Sequence, residues 1–207
     1  MLKILGRASS INVRKVLWVC DELDIAFNRE EWGDGFKSLQ DPAFRKMNPN
    51  GLIPVIQDGD FIMWESNAII RYLANSRGGD WIYPQDPRAR APVDQWIDWQ
   101  ATELNTAWRY AFMSLVRHSP AHQDARLLAA ACKGWSHTMG ILNQQLERTQ
   151  AWVAGSAFSL ADIPVGLSVN RWYETPLDHP ELPAVRAYYE RLTQRKGYAK
   201  WGRNGTP

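Results

Sequence analysis

Strand-forming runs are confined to the first third of this chain, and that confinement does most to limit its fold. In residues 1–75 short β-rich stretches alternate with helical ones. "LKIL" offers Leu2 and Ile4 to one side of a strand, and Val13, Val16, Leu17, Cys20 and Leu23 then recur at steps of three and four, the mark of a helix with one apolar face. "IAFNREEW" supplies a second strand, and "PAFRKMN" a short helical turn ended by the breaker "NPNG". In "VIQDGDFIMW" two β-rich runs flank Asp58-Gly59, a strong local signal for a tight hairpin, and "ESNAIIRYLAN" closes the half as a helix. The order βαβ-α-ββα describes a small α/β domain with a mixed sheet.

After the Gly- and polar-rich stretch "SRGGDWIYPQ" the strand signals vanish. Asp86-Pro87 reads as a cap followed by a first-turn proline, with Pro92 placed to bend the helix it opens. Helical patterns occupy roughly 88–116, 123–148, 159–173 and 183–195, and "SLAD" (159–162) is the acidic variant of a capping box. These readings give a domain at 1–77, a linker at 78–86 and an all-helical domain at 87–207. On a wheel of the helix after the linker, Ile97, Ala101, Leu104, Trp108, Ala111 and Leu115 share one side. Trp96, Trp99, Glu103, Tyr110 and Met113 share the other, so this helix has apolar bulk for a second internal contact, a pocket or a subunit interface.

Charge excludes several roles. Lys and Arg total 24 against 22 acids, too even for a phosphate-backbone binder or a polybasic membrane anchor. No apolar run approaches the ~20 residues that span a bilayer, and "MLKILGR" gives way to polar residues too early for a signal peptide. Cys20 and Cys132 lie far apart without metal-ligand spacing, which points to a reducing, cytoplasmic compartment. The four histidines form no zinc pattern with them, so no metal is expected. Most of the 11 tryptophans are expected in the core.

Four motifs then stand in order: "SSINVRKV" at the first helix, "NPNGLIPVI" before the hairpin, "WESNAIIRYL" after it, and "SLADI" in the helical half. With them the chain resembles a cytosolic glutathione transferase of the serine-type, theta/zeta-like bacterial branch over nearly its whole length. The resemblance implies a thioredoxin-like N-terminal domain with a four-stranded sheet, an all-α C-terminal domain, a homodimer, and glutathione as co-substrate in the cleft between domains. It implies detoxification chemistry, either conjugation of glutathione to a hydrophobic electrophile or reduction of an organic hydroperoxide. The alternative is a non-catalytic binding or regulatory protein on the same fold.

Residue by residue, the resemblance places Ser10 where theta-like members carry their catalytic serine and Ser9 where zeta-like members do; Asn12 is a third possible donor to sulfur. A free thiol titrates near ~8.5, and lowering it by ~2 units takes about 2.7 kcal/mol of preference for the anion. A hydroxyl beside a helix N-terminus is suited to supply that preference. Either serine is equally suited to cap the helix, and one can cap while the other serves the thiolate. Cys20 falls on the apolar face of the helix, away from this position, which disfavours thiol-transferase chemistry.

Ile53-Pro54 resembles the cis-proline step of the fold, leaving the Ile53 backbone to hydrogen-bond the cysteinyl part of glutathione. Glu65 and Ser66 are expected at the ligand's γ-glutamyl end, where a helix N-terminus favours a carboxylate. Asp98 aligns with a position that in some members reaches the partner subunit's ligand. One departure stands out: Leu52 occupies the place of a customary Lys or Gln, leaving Gln40 or Lys37 for the glycyl carboxylate. Trp99, Tyr110 and Met113 are the expected lining of the electrophile pocket.

Overall fold

The computed structural model describes residues 1–207. Its first half runs β1 (Leu2–Leu5), α1 (Ile11–Glu22), β2 (Phe27–Glu30), α2 (Pro42–Met47), β3 (Val55–Asp58), β4 (Phe61–Trp64) and α3 (Ser66–Ser76). The four strands form one mixed sheet in the order β2-β1-β3-β4, with β1 parallel to β2 and the other pairs antiparallel. The β3–β4 hairpin closes on the pair Asp58 and Phe61, and Gly59 takes φ +67°, a turn conformation open to glycine at little cost.

The second half is helical: α4 (Pro87–Trp99), a π-helical stretch at Gln100–Leu104, α5 (Asn105–Leu115), α6 (Ala125–Thr149), α7 (Asp162–Glu174), α8 (Pro183–Leu192) and α9 (Lys196–Trp201). Asp86 caps α4 by accepting the Ala89 N–H at 2.9 Å, and Asp124 caps α6 through the N–H groups of Arg126 and Leu127. Pro92 lies within α4.

Two expectations are corrected. The single helix expected over 88–116 is interrupted by the π-helical turn, and a wheel drawn at a constant 100° does not carry through it. Ile97, Leu104 and Ala111 are indeed fully buried, but Ala101, inside the π turn, is exposed. The last helix expected over 183–195 ends at Leu192, and α9 follows as a separate element. Gly197 permits that element: a Cβ there would lie 2.2 Å from Trp18 Cδ1 of α1.

A single apolar cluster runs through both halves, from Leu2 in the sheet to Tyr198 in α9. Its centre is α1, of which Ile11 and the unbroken run Val13–Cys20 are buried. The helix packs against α3 on one side and α7 and α9 on the other. Trp18 meets Tyr198 with ring centroids 5.1 Å apart, and Trp135 meets Trp172 edge to face at 4.8 Å. No helix is long and apolar enough to cross a membrane.

Candidate active site

The site is built where the β1–α1 loop meets the loop before β3. Gly6 makes the approach possible: at φ +150° it lies so close that a Cβ would stand 2.6 Å from Val13 Cγ2 and 3.2 Å from Ile53 Cβ. The Ile53–Pro54 bond on the facing loop is cis. Ser10 occupies the N-cap of α1 with extended backbone angles; its carbonyl accepts the Arg14 N–H at 2.9 Å, and its side chain makes no capping bond. Ser10 therefore caps through its main chain alone, and its half-buried hydroxyl is not spent on the helix. Ser9 is exposed.

Asn12, in the first turn of α1, accepts a 3.3 Å hydrogen bond from the Ser66 hydroxyl in the first turn of α3. Two helix N-termini are thereby joined beside the cis-proline loop, a concentration of partial positive charge suited to an anionic ligand. Glu65, exposed at the N-cap of α3, has φ +73°, a conformation that costs a non-glycine residue ~1–3 kcal/mol and that clusters at ligand clamps. The structure thus brings Ser10, Asn12, Ile53, Glu65 and Ser66 to one mouth.

Beneath that mouth is a residue that sequence reasoning missed. Lys15 is 4 % exposed and donates to Asn67 Oδ1 at 3.0 Å and to Gln100 Oε1 at 3.1 Å. Gln100, the first residue of the π turn, donates in its turn to Ser168 Oγ of α7 at 3.0 Å. The network ties α1 and α3 to the helical half without a carboxylate. Burial, with the nearby Arg171 charge adding to it and Glu65 opposing, holds the Lys15 amine down at about 7. The folded protein therefore binds this proton less tightly than the unfolded chain, and stability should rise with pH between about 7 and the ordinary value of 10.5. Replacing Lys15 by Met is expected to flatten that rise, measured as urea midpoints of both proteins from pH 6 to 10.

The remaining candidates lie farther out. Leu52 is 60 % exposed, and its carbonyl accepts from Asn48 Nδ2 at 2.8 Å. Gln40 is exposed and lines a depression with Gly33, Phe36 and Gly51. Lys37 is paired with Glu30 at 3.0 Å, and this pairing, with Lys3, pulls the Glu30 carboxyl down to about 2. Asp98 accepts from Arg71 Nη2 at 2.6 Å, so it already has a partner within its own chain.

Trp99 is set apart from Tyr110 and Met113, which lie three residues apart on α5. Trp99 lines a groove of about 600 Å³ between α4 and α6 with Trp96 and Ile141. Tyr110 lies edge-on to His122, its hydroxyl accepting the Asp124 N–H at 3.2 Å, and Met113 is half-buried along α5. The π turn between Trp99 and Tyr110 breaks the register on which their common face was drawn. Trp108 and Phe112 of α5 instead hold the Arg171 guanidinium, at 4.3 and 4.1 Å from their ring centroids. No group of three His, Cys, Asp or Glu side chains is placed to hold a metal ion.

Comparison with known proteins identifies what this arrangement belongs to. Residues 5–81 match the family described as glutathione S-transferase, N-terminal domain, and residues 104–196 the glutathione S-transferase, C-terminal domain. The chain belongs to the glutathione S-transferase family. It is 34 % identical over 202 residues to glutathione S-transferase GstB of Escherichia coli strain K12, covering 97 % of each protein. Glutathione S-transferase 1 of Manduca sexta is 32 % identical over 160 residues, 76 % of this chain and 71 % of that protein. Among solved structures, the theta class glutathione S-transferase of the citrus canker pathogen Xanthomonas axonopodis pv. citri, with glutathione bound, superposes with a TM-score of 0.90 at 38 % identity, covering 97 % of this chain and 96 % of that one.

Proposed function

We propose that this transferase binds glutathione at the α1–α3 mouth, holds its sulfur as thiolate with the Ser10 hydroxyl, and presents it to a hydrophobic electrophile. The observation that carries this reading is a hydroxyl at a helix N-terminus that makes no capping bond. In this pose the γ-glutamyl carboxylate sits on the N-terminus of α3 with Ser66, Glu65 faces the ligand ammonium, and the Ile53 main chain pairs with the cysteinyl unit. Gln40 or Lys37 serves the glycyl carboxylate. The thiol proton leaves to solvent; the sulfur then forms a bond to the electrophilic carbon as the leaving group departs with its electron pair. The protein's own sulfurs do not suit this chemistry, since burial pushes the Cys20 thiol up to about 12 and raises that of Cys132 as well. The enzyme acts as a homodimer in the cytoplasm.

Exposed Leu52, in place of a cationic or amide side chain, favours the second reading, a binding protein without turnover. Titrating the tryptophan fluorescence with glutathione separates the two when paired with an assay of conjugation to chlorodinitrobenzene. Saturation below millimolar together with conjugation is expected. Saturation without conjugation would leave a binding protein, and no saturation would remove the glutathione site.

A further inference from the structure

Lys15 is a buried ammonium with no counter-charge in contact. It is 4 % exposed, and its three N–H groups meet two acceptors, Asn67 Oδ1 at 3.0 Å and Gln100 Oε1 at 3.1 Å, both neutral amides. Buried charges are ordinarily paired, and one left among dipoles alone is costly. The neighbouring buried arginines are better served. Arg14 donates to Thr206 O at 2.8 Å and Pro207 O at 3.0 Å, and Arg171 reaches Pro207 O at 3.5 Å with the rings of Trp108 and Phe112 against it.

The ammonium lies behind the α1–α3 mouth. Lys15 is three residues on from Asn12 and so shares its face of α1, one turn deeper. Asn67, which it holds, is the second residue of α3, next to the Ser66 whose hydroxyl bonds Asn12. Lys15 is thus anchored to the turn whose free N–H groups suit a carboxylate. The elements around it present few charges. Glu65 at the N-cap of α3 favours its proton and Arg171 of α7 opposes it, while the π turn presents the uncharged Gln100 and α7 the uncharged Ser168. Arg14, the preceding residue, turns away toward Thr206 and Pro207.

We propose that Lys15 is a positioning residue for glutathione: its ammonium steadies the first turn of α3 and takes from the bound γ-glutamyl carboxylate the counter-charge that the protein does not supply, so that ligand and proton are taken up together. This inference rests on the glutathione pose proposed above. The ligand's own ammonium opposes the effect weakly, because it lies by exposed Glu65, where solvent screens it. The coupling has a direction. Burial holds the Lys15 amine at about 7 in the free protein, so above that pH the amine must recover a proton from solvent as the carboxylate binds. Affinity therefore falls as pH rises past about 7.

S-methylglutathione isolates this proton, since it keeps the γ-glutamyl end and has no thiol to titrate. Its binding is measured by calorimetry near pH 7.5 in PIPES and in Tris, which differ in heat of ionisation. The wild type is expected to take up about half a proton per ligand, as a group raised by about one unit would, and to lose about sixfold in affinity between pH 6.5 and 8.5. Lys15→Met should bind more weakly at the lower pH and lack both the uptake and the fall. Any proton that the ligand's ammonium takes up is common to both proteins and cancels in the comparison. Wild-type binding without proton uptake overturns the proposal, and that result needs no variant to fold. Equal uptake by both proteins, with the variant weaker by one factor at every pH, also overturns it, because Lys15 would then be structural alone. No binding by the wild type removes the glutathione site itself, and this inference with it.

Discussion

Replacing Asp162 by Ala is expected to cost about 3–5 kcal/mol of folding stability, and with it on the order of 10 °C in Tm for a chain of this size. Asp162 is fully buried at the start of α7, and its carboxylate accepts four hydrogen bonds. They come from the Val153 N–H at 2.9 Å, the Ser159 N–H at 2.8 Å, the Ser159 hydroxyl at 3.0 Å and the Tyr188 hydroxyl at 2.9 Å. One side chain thereby fixes the start of α7, the loop before it and α8. Burial alone would argue that the group is a burden, and it does push the carboxyl up to about 6 against the pull of the four donors. Removal is nevertheless the larger cost, because two main-chain N–H groups and a tyrosine hydroxyl are left in an apolar core without acceptors.

The pH dependence carries its own sign. A folded-state value near 6 against 3.8 for the free group means that the folded protein holds this proton more tightly. The contribution of Asp162 to stability therefore falls as pH rises from about 4 to about 6 and is level above that. Thermal unfolding of wild type and Asp162→Asn should show the wild-type advantage narrowing over that interval. An advantage that widened would contradict this account of the buried carboxyl.

Ser10→Ala is expected to raise the pKa of bound glutathione by about one to two units and to cut conjugation near neutral pH by about 10- to 100-fold, the worth of one hydrogen bond to a charged sulfur. The thiolate absorbance of the complex, titrated against pH, reads the first quantity directly. Ser9→Ala should change it little, because Ser9 is exposed while Ser10 is half-buried at the N-cap. A shift in Ser9→Ala that is absent in Ser10→Ala would move the role to the neighbouring hydroxyl. Unchanged titration in both would leave the helix N-terminus and Asn12 as the source of thiolate stabilisation.

Much of this architecture was legible because local chemistry and tertiary structure agree. Asp58-Gly59 makes a turn wherever it stands between two β-rich runs, and the hairpin closes there. Ser159 and Asp162 have the spacing of a capping box, and its reach-back half is made, Asp162 accepting the Ser159 N–H and hydroxyl. The helix α7 itself begins at Asp162, with Ala161 at its N-cap and no side-chain cap. What could not be read were places where packing overrides local preference. Gln100–Leu104 is composed of ordinary residues, and nothing in its periodicity announces a π turn, so the wheel placed Trp99 and Tyr110 on a common face that the helix does not have. The six residues of α9 include Gly197, a poor helix former required there only because Trp18 leaves no room for a Cβ. Arg14, Lys15 and Arg171 carried no signal at all, since charged residues default to the surface and nothing in the one-dimensional pattern gathers these three into the interior. The left-handed backbone of Glu65 was equally silent, being common only for glycine.

The central position of α1 has a consequence for the chain as a folding unit. That helix has no outer side: the sheet domain and the helical domain each treat it as their own innermost element, and Trp18 reaches from it to Phe158 and Tyr198. Neither half is therefore autonomous. A polypeptide severed between α3 and α4 would strip an entire flank from the same helix and bare a tryptophan on it, so the sheet half and the helical half must be gained, and lost, together.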